Sequence, residues 1–262
     1  MLKIIKSEFN KAFKVKRVIL FILIIFAPFI IQFLMIKDGY TFYFPIEVFE
    51  ESFSGIIPLL FPIFSIIIYS DNYYKERKNN FISTVYTRTF FNKYIVAKGV
   101  VNFCITFLVL FVSIIIPFIF LTYIEPLLGL IEYTAVTNKT ILPTRNTLAV
   151  ISEKSHILYA IIYSFWVAIN GAFYATFAFL LTIFSTNYFT AMTTPIIFYH
   201  LGNFLLPTLS LEIFSPLISV FPFSIQQQPL WILFIPFLIL FLINFLIGIY
   251  IKNLFKNGDY NV

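Results

Sequence analysis

The sequence predicts an all-α, polytopic membrane protein: one transmembrane domain over residues 1–262 with six spans, an N-terminal amphipathic interfacial helix and a charged cytoplasmic helix. Three observations predict it. Of the 262 residues 60% are hydrophobic and only 11% are charged, with a mean hydropathy of +0.92, whereas soluble domains carry about 25% charged residues. Apolar runs of 18 or more residues recur, each long enough to cross about 30 Å of hydrocarbon. The basic residues are also sorted: segments 1–17, 71–98 and 252–262 hold 14 of the 18 Lys and Arg.

Residues 1–17 place Leu2, Ile5, Phe9 and Phe13 at helical spacing, with Lys3, Lys6, Lys11 and Lys14 mostly elsewhere. This reads either as an amphipathic helix in the inner interface or as a basic topogenic start. Six spans follow at about 18–36, 53–70, 99–124, 157–184, 188–206 and 230–251. The first is too long for a cleavable h-region, and no small-residue cleavage site follows it. Pro28, Pro58, Pro62, Pro117, Pro195 and Pro236 fall inside spans. They mark either kinks or ordinary membrane-helix prolines whose freed carbonyls find other donors.

An even number of spans with this charge distribution puts both termini and the 71–98 loop in the cytoplasm. The net charge of +6 is then explained by cytoplasmic loops facing an anionic leaflet, and no nucleic-acid partner is expected. Heavy use of Phe, Ile, Tyr, Lys and Asn fits an AT-rich bacterial genome, so the expected location is the bacterial cell (inner) membrane. Outside, 125–156 forms the longest loop. The 207–229 segment is too apolar for a free loop and too broken by Pro216, Pro222 and Pro229 for a span; it reads as an outer re-entrant segment.

The chain has no GxxxxGK[ST] phosphate loop and no HExxH, and its two histidines, His156 and His200, lack metal-ligand spacing. No catalytic, cofactor-binding or metal-binding residue is expected. The spans hold amides and a histidine rather than acids: Gln32, Asn102, Asn170, His200, Asn203 and Asn244. These either line a path or link helices. Asn170-Gly171 favours close packing, and His200 an interhelical hydrogen bond over proton sensing. An ion-coupled carrier usually needs an intramembrane acid, so energy is expected from outside the chain.

Residues 71–98 carry six Lys/Arg and two acids. Glu76-Arg77 leaves span 2, Thr84-x-x-Thr87-Arg88 follows, and Tyr94-Ile95-x-x-Lys98 enters span 3. With the six-span layout and the short inner turn at Ser185, Thr186 and Asn187, this resembles the membrane (permease) subunits of ATP-binding-cassette exporters of the drug, polysaccharide and bacteriocin-immunity type. The family often has Pro and Gly where this chain has Tyr86 and Asn79-Asn80.

The resemblance implies that 71–98 is a coupling helix seated in a cleft of a separate ATPase subunit. Glu76, Arg77 and Arg88 would make its polar contacts, Thr84 and Thr87 would lie in the same motif, and Phe81, Ile82 and Val85 would fill the cleft. Ser185, Thr186 and Asn187 would form a second contact. ATP and Mg would be held by that partner, with a second permease copy, identical or paralogous, completing the path. The expected cargo is amphipathic or hydrophobic, such as an antimicrobial peptide or lipid-like molecule. The bland reading of 71–98 is a solvated basic loop at the anionic leaflet. The other function classes are a non-transporting immunity or sensor protein and an ion-coupled secondary carrier.

Overall fold

The computed structural model describes residues 2–88, 90–134, 147–185, 187–222 and 228–257. Helix α1 (Leu2–Ala12) turns at Lys14 into α2 (Val15–Ile36). Helix α3 (Pro45–Ser52) opens on Pro45, where no N–H is needed, and its Glu47 carboxylate accepts the Tyr43 N–H at 2.8 Å. It meets α4 (Ile56–Ile67) at a 57° bend. Two short helices follow, α5 (Asn72–Lys78) and α6 (Phe81–Arg88). They are joined through Asn80 at φ 53°, a left-handed position that Asn tolerates better than most side chains.

Helix α7 (Phe91–Ile119) continues through a π-turn (Phe120–Ile124) into α8 (Glu125–Leu128), which Gly129 ends at φ 63°. Helix α9 (Ala149–Lys154) precedes α10 (His156–Phe184), whose N-cap Ser155 accepts the Leu158 N–H. Asn187 caps α11 (Tyr188–Thr208) in the same way, through the Phe189 N–H at 2.9 Å. A 3₁₀ turn (Glu212–Phe214) and α12 (Pro216–Val220) lead to α13 (Trp231–Asn257). Among the described residues there is no strand, only an isolated bridge between Phe42 and Tyr133.

Four of these helices are long and apolar enough to cross a membrane: α2, α7 through α8, α10 and α13. The bent α3–α4 pair makes five if it counts as one span. This is a multi-pass helical membrane architecture, with two departures from the expected spans. The span expected at 53–70 forms a helix of only 12 residues, Ile56–Ile67, which passes as one span only together with α3 across the 57° bend. The span expected at 188–206 forms a helix of 21 residues, yet it falls outside the set of clear spans because Thr190, Thr193, Thr194, His200 and Asn203 dilute its apolar surface. The third span also starts earlier, at Phe91, so the segment expected at 71–98 is divided among α5, α6 and the first turns of α7. Within 207–229, residues 207–222 and 228–229 are described: the end of α11, the 3₁₀ turn, α12 and the approach to α13.

Helix α10 is the hub, packed against α4, α7, α11 and α13. Its buried stripe is Ala168, Gly171, Ala172, Ala175 and Ala178, small residues that let neighbouring backbones approach where lipid removes the usual hydrophobic drive. A Cβ on Gly171 would lie 2.1 Å from Leu110 Cδ1 and 2.9 Å from Ser65 Oγ. Close packing is therefore what Gly171 provides. Pro62, inside α4, removes the donor that would serve the Pro58 carbonyl. The Tyr199 hydroxyl replaces it, donating to Pro58 O at 2.9 Å from α11.

Candidate functional site

The charged end of the bundle is built around four ionised groups from three segments. On α1 the buried face carries Glu8, 2% exposed, and Ala12. From the first turns of α7 comes Lys98, 1% exposed, and from α5 comes Glu76. The Lys98 ammonium donates to Glu8 at 2.8 Å and to Glu76 at 2.7 Å. Lys11, one turn beyond Glu8, reaches the other oxygens of the same two carboxylates, at 2.5 Å and 2.9 Å. The result is a closed ring of two acids and two bases with no net charge.

Further donors complete it. Glu8 also accepts from Asn72 Nδ2 and from the Tyr69 hydroxyl, both at 3.1 Å, and Glu76 accepts from the Tyr94 hydroxyl. Arg17 extends the network, donating to Asn72 at 3.0 Å while its guanidinium lies 4.4 Å from the Tyr69 ring centroid. Burying an isolated charge costs several kcal/mol, roughly the scale on which the paired geometry here offsets it. Burial alone pushes the Glu8 carboxyl up, but Lys98 and Lys11 more than offset that and hold it below its ordinary value. Burial pulls Lys11 down, while the hydrogen bonds it donates to Glu8 and Glu76 bring it above its ordinary value.

This ring ties Glu76, 14% exposed, into contacts within the chain. Its expected role was a polar contact with a partner, but the pull of Lys98, Lys11 and Tyr94 turns the carboxylate inward. Arg77 also stays within the chain, donating to the Ser185 carbonyl at 3.1 Å. It thereby joins α5 to the 185–187 turn, so the two segments singled out in the sequence become one surface. Ser185 Oγ donates to the Asn187 carbonyl at 2.9 Å, and Asn187 caps α11.

The apolar residues of α6 divide. Ile82 and Val85 are buried with Tyr73, Phe91, Phe179 and Ile251, so they fasten α6 to α7, α10 and α13 and do not project as cleft-filling groups. Phe81 is 42% exposed, with the Lys11 ammonium 5.3 Å from its ring centroid, and Thr84 is exposed. Thr186 and the side chains of Thr87 and Arg88 lie outside the described residues.

The intramembrane polar residues are scattered; Gln32, Asn102 and Asn203 link separate segments, while Asn170 and Asn244 bond within their own helices. Gln32 accepts the Ile56 N–H at 3.4 Å beside Gly55. Asn102 accepts from Ser70 at 3.3 Å, and Ser70 also lies 3.0 Å from Ala175 O on the hub helix. Asn170 donates to Trp166 O in its own helix, Asn203 accepts the Leu217 N–H that starts α12, and Asn244 donates to Leu240 O. His200 packs edge-on to Tyr199. Among the described residues, no three His, Cys, Asp or Glu side chains are grouped as a metal site would require.

The ring itself was not expected from the sequence. Its one legible trace is Glu8, the only acid in the first 17 residues, placed one turn before Lys11 while Lys98 stands at the apolar border of a span. Comparison with protein-family models, with curated proteins and with solved structures finds no match.

Proposed function

We propose that this chain is the permease subunit of an ATP-driven exporter in a bacterial cell membrane. Its six spans would be α2, the α3–α4 pair, α7, α10, α11 and α13, with both termini and α5–α6 on the cytoplasmic side. A separate ATP-binding-cassette ATPase would bind ATP and Mg and dock on α5–α6 and the 185–187 turn. A second permease copy, identical or related, would complete the path for an amphipathic or hydrophobic cargo such as an antimicrobial peptide.

The observation that carries this reading is how α5–α6 is mounted. Its inner face is locked to the ends of α7, α10 and α13 by Ile82 and Val85, to α1 by the charged ring, and to the α10–α11 turn by Arg77. A push on the outer face, at Phe81 and Thr84, therefore reaches several helices at once. A merely solvated loop has no need of such anchorage. Packed cores respond to such pushes by switching between discrete arrangements.

Affinity purification from native membranes tests the proposal. An ATPase is expected to co-purify, and Phe81→Asp is expected to release it while leaving membrane insertion intact. Purification of the wild-type chain with no ATPase after mild cross-linking would instead favour a protein that acts by binding alone. ATPase stimulation unchanged in Phe81→Asp would remove α6 from the docking surface.

A further inference from the structure

On the other side of the charged ring, at the head of α2, lies a cavity of about 540 Å³. Its rim carries Lys14, Lys16, Arg17 and Lys75 against one acid, Asp71, and its floor includes Leu20 and Ile67. We propose that this cavity binds the phosphate headgroup of an anionic phospholipid, with the acyl chains passing over the apolar floor toward the lipid-facing side of α2.

Charge selects the head. Asp71 is already engaged by Lys75 and lies 3.7 Å from Arg17, so the rim keeps an excess of positive charge. Among the described residues, the ammonium groups of Lys14 and Lys16 have no ion-pair or hydrogen-bond partner. Arg17 uses Nη2 on Asn72, and its Nη1 is buried without a hydrogen-bond partner. The first turn of α2, whose Val15 and Lys16 line the cavity, holds no acid and no side-chain cap, leaving backbone N–H groups suited to an anion.

Depth selects a lipid over a soluble phosphate. Immediately beyond Leu20 the outer face of α2 is apolar and open, with Ile22 and Leu23 50% and 56% exposed. Across the cavity Ile67 is 41% exposed at the end of α4. Basic groups therefore sit one turn from the start of a lipid-facing surface, the spacing of headgroup to acyl chain. The volume also falls in the range of about 300–1,000 Å³ typical of small-molecule sites. This inference rests on α2 crossing the membrane and is independent of an ATPase partner.

The test uses the full chain in detergent, with phosphatidylglycerol, phosphatidylcholine or inorganic phosphate added, read by native mass spectrometry of retained lipid and by thermal stability. Phosphatidylglycerol should be retained in preference to phosphatidylcholine. Lys14→Gln/Lys16→Gln should reduce that preference roughly 25-fold, taking about a factor of five for each basic residue at an anionic surface. The exposed pair Lys3→Gln/Lys6→Gln changes charge equally but does not line the cavity, and should leave the preference within about threefold, well short of even one such factor. Equal loss in both double variants would mean diffuse attraction and overturn the site. So would equal retention of the two lipids by the wild-type chain, or stabilisation by inorganic phosphate matching that by phosphatidylglycerol.

Discussion

At Lys98 two carboxylates converge on one ammonium that water barely reaches. Replacing Lys98 with Met leaves Glu8 and Glu76 sharing a single base, and removal of one partner from a buried pair costs about 3–5 kcal/mol. The expected outcome is a lower midpoint in thermal unfolding together with release of α1. A Glu8→Gln/Lys98→Gln cycle should show a coupling of about 0.5–3 kcal/mol, the range for groups in one network, and additive effects would mean the ring is only a geometric coincidence. The same ring sets a pH dependence. Glu8 is held below its ordinary value of 4.5, so its contribution is present above that value and is lost as pH falls through its own lower one. Lys11 is held above its ordinary value of 10.5, so its contribution is present below that value and is lost as pH rises through its own higher one. A nitroxide at position 10, on the exposed side of α1, should stay immobilised between pH 4.5 and 10.5 and loosen only as the pH passes beyond them.

Among the helices, α4, α10 and α11 show how a membrane bundle replaces apolar drive with fit. Gly171→Leu would drive a side chain into Leu110 and Ser65, and overpacking of this kind costs about 1–3 kcal/mol, read as lost thermal stability with helix content retained. The link from Tyr199 to Pro58 makes a sharper prediction. Tyr199→Phe orphans a buried carbonyl, at a cost of about 1 kcal/mol. In a Pro62→Ala background, α4 regains its own donor to Pro58, and the same Tyr199→Phe change should become nearly neutral. Equal cost in both backgrounds would show that the hydroxyl serves something other than the proline gap. The helices were largely legible in the sequence, because long apolar runs bounded by Lys, Ser and Asn mark their ends. The α3–α4 pairing was not, since Glu47, Glu50 and Glu51 make α3 read as a polar connection and not as part of a span.

For the whole molecule, charge sorting predicts which side of the membrane each end faces, and the prediction can be measured. Cys104 is the single cysteine, so a Cys104→Ser chain accepts single reporters. Cysteines at positions 79 and 187 should resist an impermeant maleimide in intact cells, while those at 127 and 209 should react. If α11 does not cross, 187 and 209 will label alike and the six-span proposal fails, even though α11 is a helix of spanning length. The bond between Arg77 and Ser185 places charged α5 and the uncharged end of α10 at one end of the bundle.

Composition and the spacing of apolar runs were enough to determine that this chain is helical and multi-pass, because each apolar stretch must satisfy its own backbone in lipid. The position of the charged break between the second and third spans was equally plain, since Lys and Arg cannot be hidden by pattern. Only the tertiary structure decided what those charges do. Glu8, Glu76 and Lys98 lie up to 90 residues apart in sequence, and no local period reports a pairing that distance conceals. The inward turn of Glu76 and the burial of Ile82 and Val85 follow from three helix ends meeting in one place.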